Sequence, residues 1–231
     1  MGQLFISGGS SGLGLRLTVD SLLANEGVTA TYQTHPAPLH FLQKRFKSLN
    51  AIALDLAQPS PSEDWPEVID SAILCAGSIK NQLMLKETSD DFADHLKAHL
   101  TGNMTLCRAL YPRLRKSKNP HLVIVSSRSA YEGNVGQAAY SASRAGLVGF
   151  GKTLAREWAR AGIKVNIIFP GWMKTRQTIA MPDKIRSDFE AQNVLGHTNT
   201  LAEISRFIRF LITTQHISGQ IFNLDSRINT N

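Results

Sequence analysis

The sequence predicts a doubly wound α/β fold, a seven-stranded, mainly parallel sheet with helices on both faces. Three observations carry this expectation. Seven short apolar, β-rich runs recur along the 231 residues, stretches of helical period separate them, and a glycine-rich turn closes the first run. Strands that are apolar almost throughout are strands buried on both faces, and parallel neighbours need long crossovers of the kind helices supply.

The elements follow in order. "QLFISGG" opens the chain and passes into the helical pattern "GLGLRLTVDSLLANEG". "VTATYQ" and "AIALDL" are the second and third strands. The connection "AQPSPSEDWPEV" then leaves little room for a covering helix before the fourth strand, "SAILCAG". A long helical pattern, "SDDFADHLKAHLTGNMTLCRALYPRL", leads to the fifth strand, "HLVIVSS". The pattern "YSASRAGLVGFGKTLAREWARAG" leads to the sixth, "KVNIIFPG", and "QIFNLD" is the seventh. No repeat, low-complexity tract or linker interrupts this alternation, so one domain over residues 1–231 is expected. Ligands of such sheets bind beyond the carboxyl ends of the strands, and the chemistry is to be sought there.

Composition narrows the function classes. With 42% hydrophobic and 19% charged residues the chain is an ordinary soluble globular sequence, neither disordered nor fibrous. Its apolar runs are strand-sized and no basic leader with a cleavage site precedes the first, so no membrane span and a cytoplasmic location are expected. Cys75 and Cys107 fall in a strand and a helix pattern without CxxC or Cys/His spacing, which argues against a disulfide and against a metal. The net charge of +7 suits an acidic partner, whether nucleic acid, a phosphate-bearing cofactor or an acidic carrier protein. Charge alone does not choose among them.

The strand ends supply the motifs. "SGGSSGLG" places Gly8, Gly12 and Gly14, with Ser10, Ser11 and Leu13 between them, at the first strand-to-helix turn. Glycine there lets the backbone approach a pyrophosphate, and the helix start offers free amides and a positive dipole end. Further along, Asp55 and Leu56 close the third strand, Cys75, Ala76 and Gly77 the fourth, Ser126 and Ser127 the fifth, and Pro170, Gly171, Met173 and Thr175 in "PGWMKT" the sixth.

Together with "YSASR" these features resemble the short-chain dehydrogenase/reductase family over essentially the whole chain. The phrases "GNVGQAAYSASRAGLVGFGKTLAREWARAGIKVNIIFPG" and "AGSIKNQLM" are most similar to its bacterial 3-oxoacyl-(acyl-carrier-protein) reductases. The resemblance implies a Rossmann-type fold and NAD(P)H-dependent reduction of a ketone, above all a β-ketoacyl thioester on a carrier protein or coenzyme A. It makes Tyr140 the proton donor and Ser127, 13 residues earlier, the hydroxyl that polarises the carbonyl. Two hydroxyls converging on one carbonyl oxygen, one able to transfer a proton, are also what ketone reduction requires chemically. Gly8, Ser10, Ser11, Gly12, Leu13, Gly14, Gln33, Asp55, Leu56, Cys75, Ala76, Gly77, Pro170, Gly171, Met173 and Thr175, with Tyr140 and Arg144, become the cofactor-binding set.

Several positions depart from the family pattern. Arg144 replaces a lysine that holds the nicotinamide ribose; arginine keeps the charge and the donors but does not readily release a proton. His99, 28 residues before Ser127, replaces an asparagine that supports a water-mediated proton relay. With an ordinary pKa near 6.5, His99 is expected to resupply the proton to Tyr140; the competing reading is a relaxed site. Cys75 replaces an asparagine and is read as a small buried thiol without reactivity. "DSR" at Asp225 to Arg227 replaces a terminal "DGG".

Cofactor choice rests on "TYQTH" and the glycine loop, which contain neither an acid nor a strong base. The missing acid favours NADP(H), with NAD(H) still open and with Ser11, Gln33, Thr34 and His35 as phosphate neighbours. The basic run of Arg113, Arg115, Lys116 and Lys118 reads either as a solvated helix end or, with Arg160, as a docking patch for an acidic carrier. "RQTIAMPDKIRSDFEAQNVLG" resembles a substrate lid, and Trp172 and Met181 are candidates to line its pocket. The resemblance also implies a homodimer or homotetramer built on the long helices. Two rivals remain: a catalytically weak or non-redox partner subunit, kept alive by Arg144 and His99, and a nucleic-acid-binding module, motivated only by charge.

Overall fold

The strands of the computed structural model, which describes residues 2–59, 64–176, 178–179 and 183–228, form one sheet. These are β1 (Gln3–Ser7), β2 (Gly27–Tyr32), β3 (Leu49–Ala53), β4 (Ser71–Leu74), β5 (His121–Val125), β6 (Lys164–Phe169) and β7 (Ile221–Asn223). Their order is β3-β2-β1-β4-β5-β6-β7, and every neighbouring pair is parallel, so the sheet is wholly rather than mainly parallel. The order reverses direction between β1 and β4, whose following segments cross to opposite faces and leave a crevice at the carboxyl ends.

Alternation along each strand feeds two cores. On β1, Phe5 joins one cluster while Leu4 and Ile6 join the other, as the two-residue period of a strand requires. The first cluster packs under α4 (Gly102–Leu114) and α6 (Ala138–Glu157) through Leu106, Leu110, Leu147 and Leu154. The second packs under α1 (Gly12–Leu23), α2 (Ala37–Gln43) and α8 (Leu201–Leu211) through Leu17, Leu22, Leu39, Ile204 and Ile208. Thr200 and Glu203 start α8 with a reciprocal capping box. α3 (Ser89–Leu96), the short α5 (Ser129–Glu132) and α7 (Asp183–Ala191) complete the α-helices among the described residues.

Two local features bear on the site. Among the described residues no helix joins β3 to β4, and Trp65 of that connection is buried instead, its ring 4.8 Å from Phe5. The indole thus covers sheet that a crossover helix would otherwise shield. The long helical pattern over residues 89–114 is in fact α3, a π-helical turn over Lys97–Thr101, and α4. Gly102 explains the close approach at this break, because a Cβ there would lie 2.0 Å from the Leu56 carbonyl oxygen at the end of the third strand segment. Widened turns of this kind recur at functional sites, and this one carries His99.

Candidate active site

A groove of about 460 Å³ runs along the carboxyl ends of the strands. All the residues expected to bind a dinucleotide line it: Gly8, Ser10, Ser11, Gly12, Leu13, Gly14, Gln33, Asp55, Leu56, Cys75, Ala76, Gly77, Pro170, Gly171, Met173 and Thr175. Ser127, Tyr140, Arg144 and His99 line it as well.

At the glycine end the shape is made by backbone. Gly8 has φ +68, and a Cβ on it would lie 2.8 Å from the Ala76 Cα. A Cβ on Gly14 would lie 2.3 Å from the Gly8 carbonyl oxygen. The turn is therefore closed too tightly for side chains. Its neighbours are tied across the sheet: the Gly8 amide donates to Thr31 Oγ1 at 3.2 Å and the Ala76 amide to Ser7 Oγ at 3.2 Å. Ser11 precedes α1 without capping it by its side chain, so the first amides of the helix stay free for an anion. Gln33 Nε2 donates to Asp55 Oδ1 at 3.0 Å, joining the ends of β2 and β3.

Side chains make the other end. Ser126 and Ser127 have separate jobs: Ser126 Oγ donates to the Arg144 carbonyl at 3.0 Å, whereas Ser127 Oγ lies 3.0 Å from Ser129 Oγ and accepts the Ser129 amide at 3.2 Å. Asn134 Nδ2 donates to Ser129 Oγ at 2.8 Å and to Gln137 Oε1 at 3.1 Å, and Gln137 Nε2 donates to Asn81 Oδ1 at 3.0 Å. Ser127 is thus the inner end of a polar chain reaching the surface, which reading the motif alone did not reveal.

Tyr140 and Arg144 sit one turn apart on α6, with the guanidinium carbon 4.8 Å from the centre of the phenol ring. Arg144 is 7% exposed and donates through Nη1 to the Val125 carbonyl at 3.2 Å. Gly77 makes room for it, since a Cβ there would lie 2.3 Å from Arg144 Nη2. Among the described residues no carboxylate pairs with Arg144, and its Nε is buried without a partner. A buried guanidinium with an unmet donor is costly unless a hydrogen-bond acceptor completes it. Free helix amides at the glycine turn and this orphaned donor beside Tyr140 line one groove, and together they fit a dinucleotide, its phosphates at the amides and a sugar hydroxyl at Arg144.

His99 corrects an expectation. It is buried, and burial first, then Arg144, then His95 push its pKa down from the ordinary 6.5 to about 3. The imidazole is therefore neutral at pH 7, because a shift of that size requires an unfavourable site for the charged ring. Its Nε2 lies 3.3 Å from Ser78 Oγ, and its Nδ1 is buried without a partner. His95, which the motif reading passed over, meets it at a tilt with ring centres 4.2 Å apart and meets Tyr140 edge-on at 6.2 Å. Its pKa is lowered by burial and by Arg144. The spacing "HLKAH" was the signal available for this pair, as residues four apart share a helix face. Cys75 lies in the groove with its thiol pushed up to about 12 by burial, which leaves it protonated.

The outer wall beyond Tyr140 contains Trp172, its ring stacked with Phe189 of α7 at 6.3 Å. Met181, expected to share that wall, lies outside the described residues. Asp225 and Arg227 join this wall to α5. Arg227 Nε donates to Asp225 Oδ2 at 2.7 Å, Arg227 Nη1 lies 3.4 Å from Glu132 Oε2, and Arg128 bonds Glu132 and lies 3.7 Å from Asp225 Oδ1. The Asp225 side chain is 2% exposed and lies under Gly171, where a Cβ would be 2.6 Å away. "DSR" therefore packs the end of the chain firmly against the pocket. The basic run is partly structural: Arg113 lies over Trp65 at 5.6 Å and Lys116 pairs with Glu67 at 2.9 Å, while Arg115 and Arg160 flank a shallow recess with Tyr111.

Residues 59–226 match a family model described as enoyl-(acyl carrier protein) reductase. The chain belongs to the short-chain dehydrogenase/reductase family. Within this family it is 29% identical to the 3-oxoacyl-(acyl-carrier-protein) reductase of Buchnera aphidicola, covering 95% of this chain and 94% of that one. It is 31% identical to the Salmonella typhimurium enzyme of the same name over 68% of this chain, a match that spans 65% of the relative's length. In fold it resembles a solved 4-hydroxyisoleucine dehydrogenase complexed with NADH, with a TM-score of 0.89, 24% identity and full coverage of both chains. Among the described residues no helix is long and apolar enough to cross a membrane.

Proposed function

We propose that this short-chain dehydrogenase/reductase reduces a ketone, specifically a β-ketoacyl thioester on a carrier protein or coenzyme A, with NADP(H) as the preferred donor. The observation that carries the reading is the buried Arg144, which pairs with no carboxylate among the described residues and lies over the Tyr140 ring in the groove that the glycine turn also lines. A nicotinamide dinucleotide would supply the hydride for the carbonyl carbon. The glycine turn and the start of α1 would hold its pyrophosphate, Asp55 and Leu56 would flank its adenine side, and Arg144 and Tyr140 would hold its nicotinamide ribose. Ser127 donates a hydrogen bond to the carbonyl oxygen and Tyr140 gives that oxygen its proton, while the guanidinium stabilises the phenolate left behind.

His99 takes part as a neutral imidazole that supports the Tyr140 end of the groove through its contact with His95 and through Nε2, 3.3 Å from Ser78 Oγ, instead of storing a proton. Arg115 and Arg160 offer cations to an acidic carrier, and the long helices α4 and α6 are the surface for a homodimer or homotetramer. The test is oxidation of NADPH and NADH by the purified protein with a short β-ketoacyl thioester, beside direct titration of each dinucleotide. Turnover with binding is expected. Binding without turnover on keto thioesters of several lengths would favour the partner-subunit reading, to which the replaced lysine and asparagine point. Absence of binding would overturn both.

A further inference from the structure

Resting on the dinucleotide reading above, we infer that Arg176, on the segment after β6, is the cation that selects a 2′-phosphorylated dinucleotide. Local sequence offers no strong base at the end of β2, where the adenosine ribose of a dinucleotide lies in doubly wound sheets. Tertiary structure supplies one from a residue 141 positions away, for Arg176 Nη2 lies 3.4 Å from His35 Nδ1. The same nitrogen of His35 lies 2.7 Å from Thr34 Oγ1. A guanidinium, an imidazole and a hydroxyl therefore meet at one point on the groove's rim.

The segment carrying Arg176 reaches this point by crossing the groove. Thr175 stands against the glycine turn, its Cγ2 3.5 Å from where a Gly12 Cβ would be. The Thr175 amide donates to Thr178 Oγ1 at 2.8 Å, and Thr178 Oγ1 donates to the Met173 carbonyl at 2.7 Å, so a local turn fixes the crossing. Arg176, Thr175, Thr34 and His35 all line the groove.

Charge makes the site selective. A guanidinium is always protonated and presents a planar fork of donors suited to phosphate. Among the described residues Arg176 pairs with no carboxylate, and its contact with one ring nitrogen leaves most of its donors uncommitted. The acid on this rim, Asp55, sits at the end of the third strand segment and accepts at Oδ1 from the Gln33 side chain at 3.0 Å and the Ala57 amide at 2.9 Å. The end of β2 itself, "TYQTH", carries no carboxylate to accept bonds from a free ribose diol. A phosphate on the 2′ oxygen would gain the fork of Arg176 and the hydroxyl of Thr34.

The test is calorimetric binding of NADP+ and NAD+, and of the fragments 2′-AMP and 5′-AMP, to the wild type and to Arg176→Ala, Arg176→Lys and Lys174→Ala. Lys174 is exposed on the same segment and does not line the groove, so it controls for general charge. Arg176→Ala is expected to weaken NADP+ and 2′-AMP by about 10- to 100-fold, the range of a charge-assisted hydrogen bond or two, and to leave NAD+ and 5′-AMP unchanged. Arg176→Lys should recover part of the loss and Lys174→Ala should cause none. Equal weakening of NADP+ and NAD+, or no weakening of NADP+, overturns the inference while leaving the dinucleotide reading intact. A wild type that binds neither dinucleotide overturns both.

Discussion

The two ends of the groove are built from different material. At the glycine end the shape comes from backbone: Gly8, Gly12 and Gly14 carry no side chain, and Gly8 and Gly14 lie where a Cβ would strike Ala76 or the Gly8 carbonyl. At the Tyr140 end it comes from side chains: Arg144 lies over the Tyr140 ring, His95 meets that ring edge-on, and His95 and His99 are in tilted contact. Backbone geometry tolerates no exchange of residue type at its tight points, whereas a stack of side chains can be re-cast as long as charge and volume are conserved. The departures from the family pattern at Arg144 and His99 accordingly fall at the second end.

The sharpest break of the comparison is Gly14→Ala. Its methyl would meet the Gly8 carbonyl oxygen at 2.3 Å, so the turn must open. Dinucleotide binding is expected to fall below detection in a titration while circular dichroism still reports the α/β fold. A variant that binds normally would show that backbone closure is not what shapes this end.

Asp225→Ala tests the wall of the other end. The carboxylate is buried between Arg128 and Arg227, and removing one partner of a buried pair costs about 3–5 kcal/mol. Chemical denaturation should show that loss. A cost near zero would mean the arginines find other partners.

His99→Ala separates chemistry from binding. The substitution should lower kcat roughly tenfold, less than the 10² to 10⁴ of a direct proton donor, with dinucleotide affinity retained. Because burial and Arg144 hold His99 near 3, the wild-type pH–rate profile should show no limb near 6.5 from this residue. Unchanged turnover would remove His99 from the chemistry of the site.

Acid stability gives a smaller effect with a defined sign. His99 and His121 have folded pKa values of about 3 and about 4, both below the unfolded value near 6.5. Between these limits the unfolded chain binds more protons, so stability is full above pH 6.5 and falls as pH drops toward 4. His121→Asn should flatten that fall in thermal melts. A slope unchanged by the substitution would show that His121 takes up its proton in the folded state. Smallest of all is the expected reaction of Cys75: with its thiol held at about 12 by burial, alkylation at neutral pH should be negligible in the native protein.

Much of this was legible in the sequence because it is local. Seven apolar runs gave seven strands, and the glycine turn marks the crevice because strand, turn and helix follow one another along the chain. The π turn was not legible, since nothing in "KAHLT" breaks a helical period; it arises where Gly102 meets Leu56 across the fold. The state of His99 was misjudged for a related reason. Its pKa depends on burial and on Arg144, which lies far away in sequence, and a free imidazole value carries neither. His95 and Arg176 escaped because their roles come from partners that only the fold brings near.

The central claim is that Tyr140 is the proton donor of a carbonyl reduction at the side-chain end of a groove whose other end binds the dinucleotide independently. The most direct measurement compares Tyr140→Phe with the wild type, following NADPH oxidation with a β-ketoacyl thioester and NADP+ affinity on the same preparations. The account predicts turnover reduced by about 10² to 10⁴ with affinity preserved. A Tyr140→Phe protein that turns over like the wild type would contradict it.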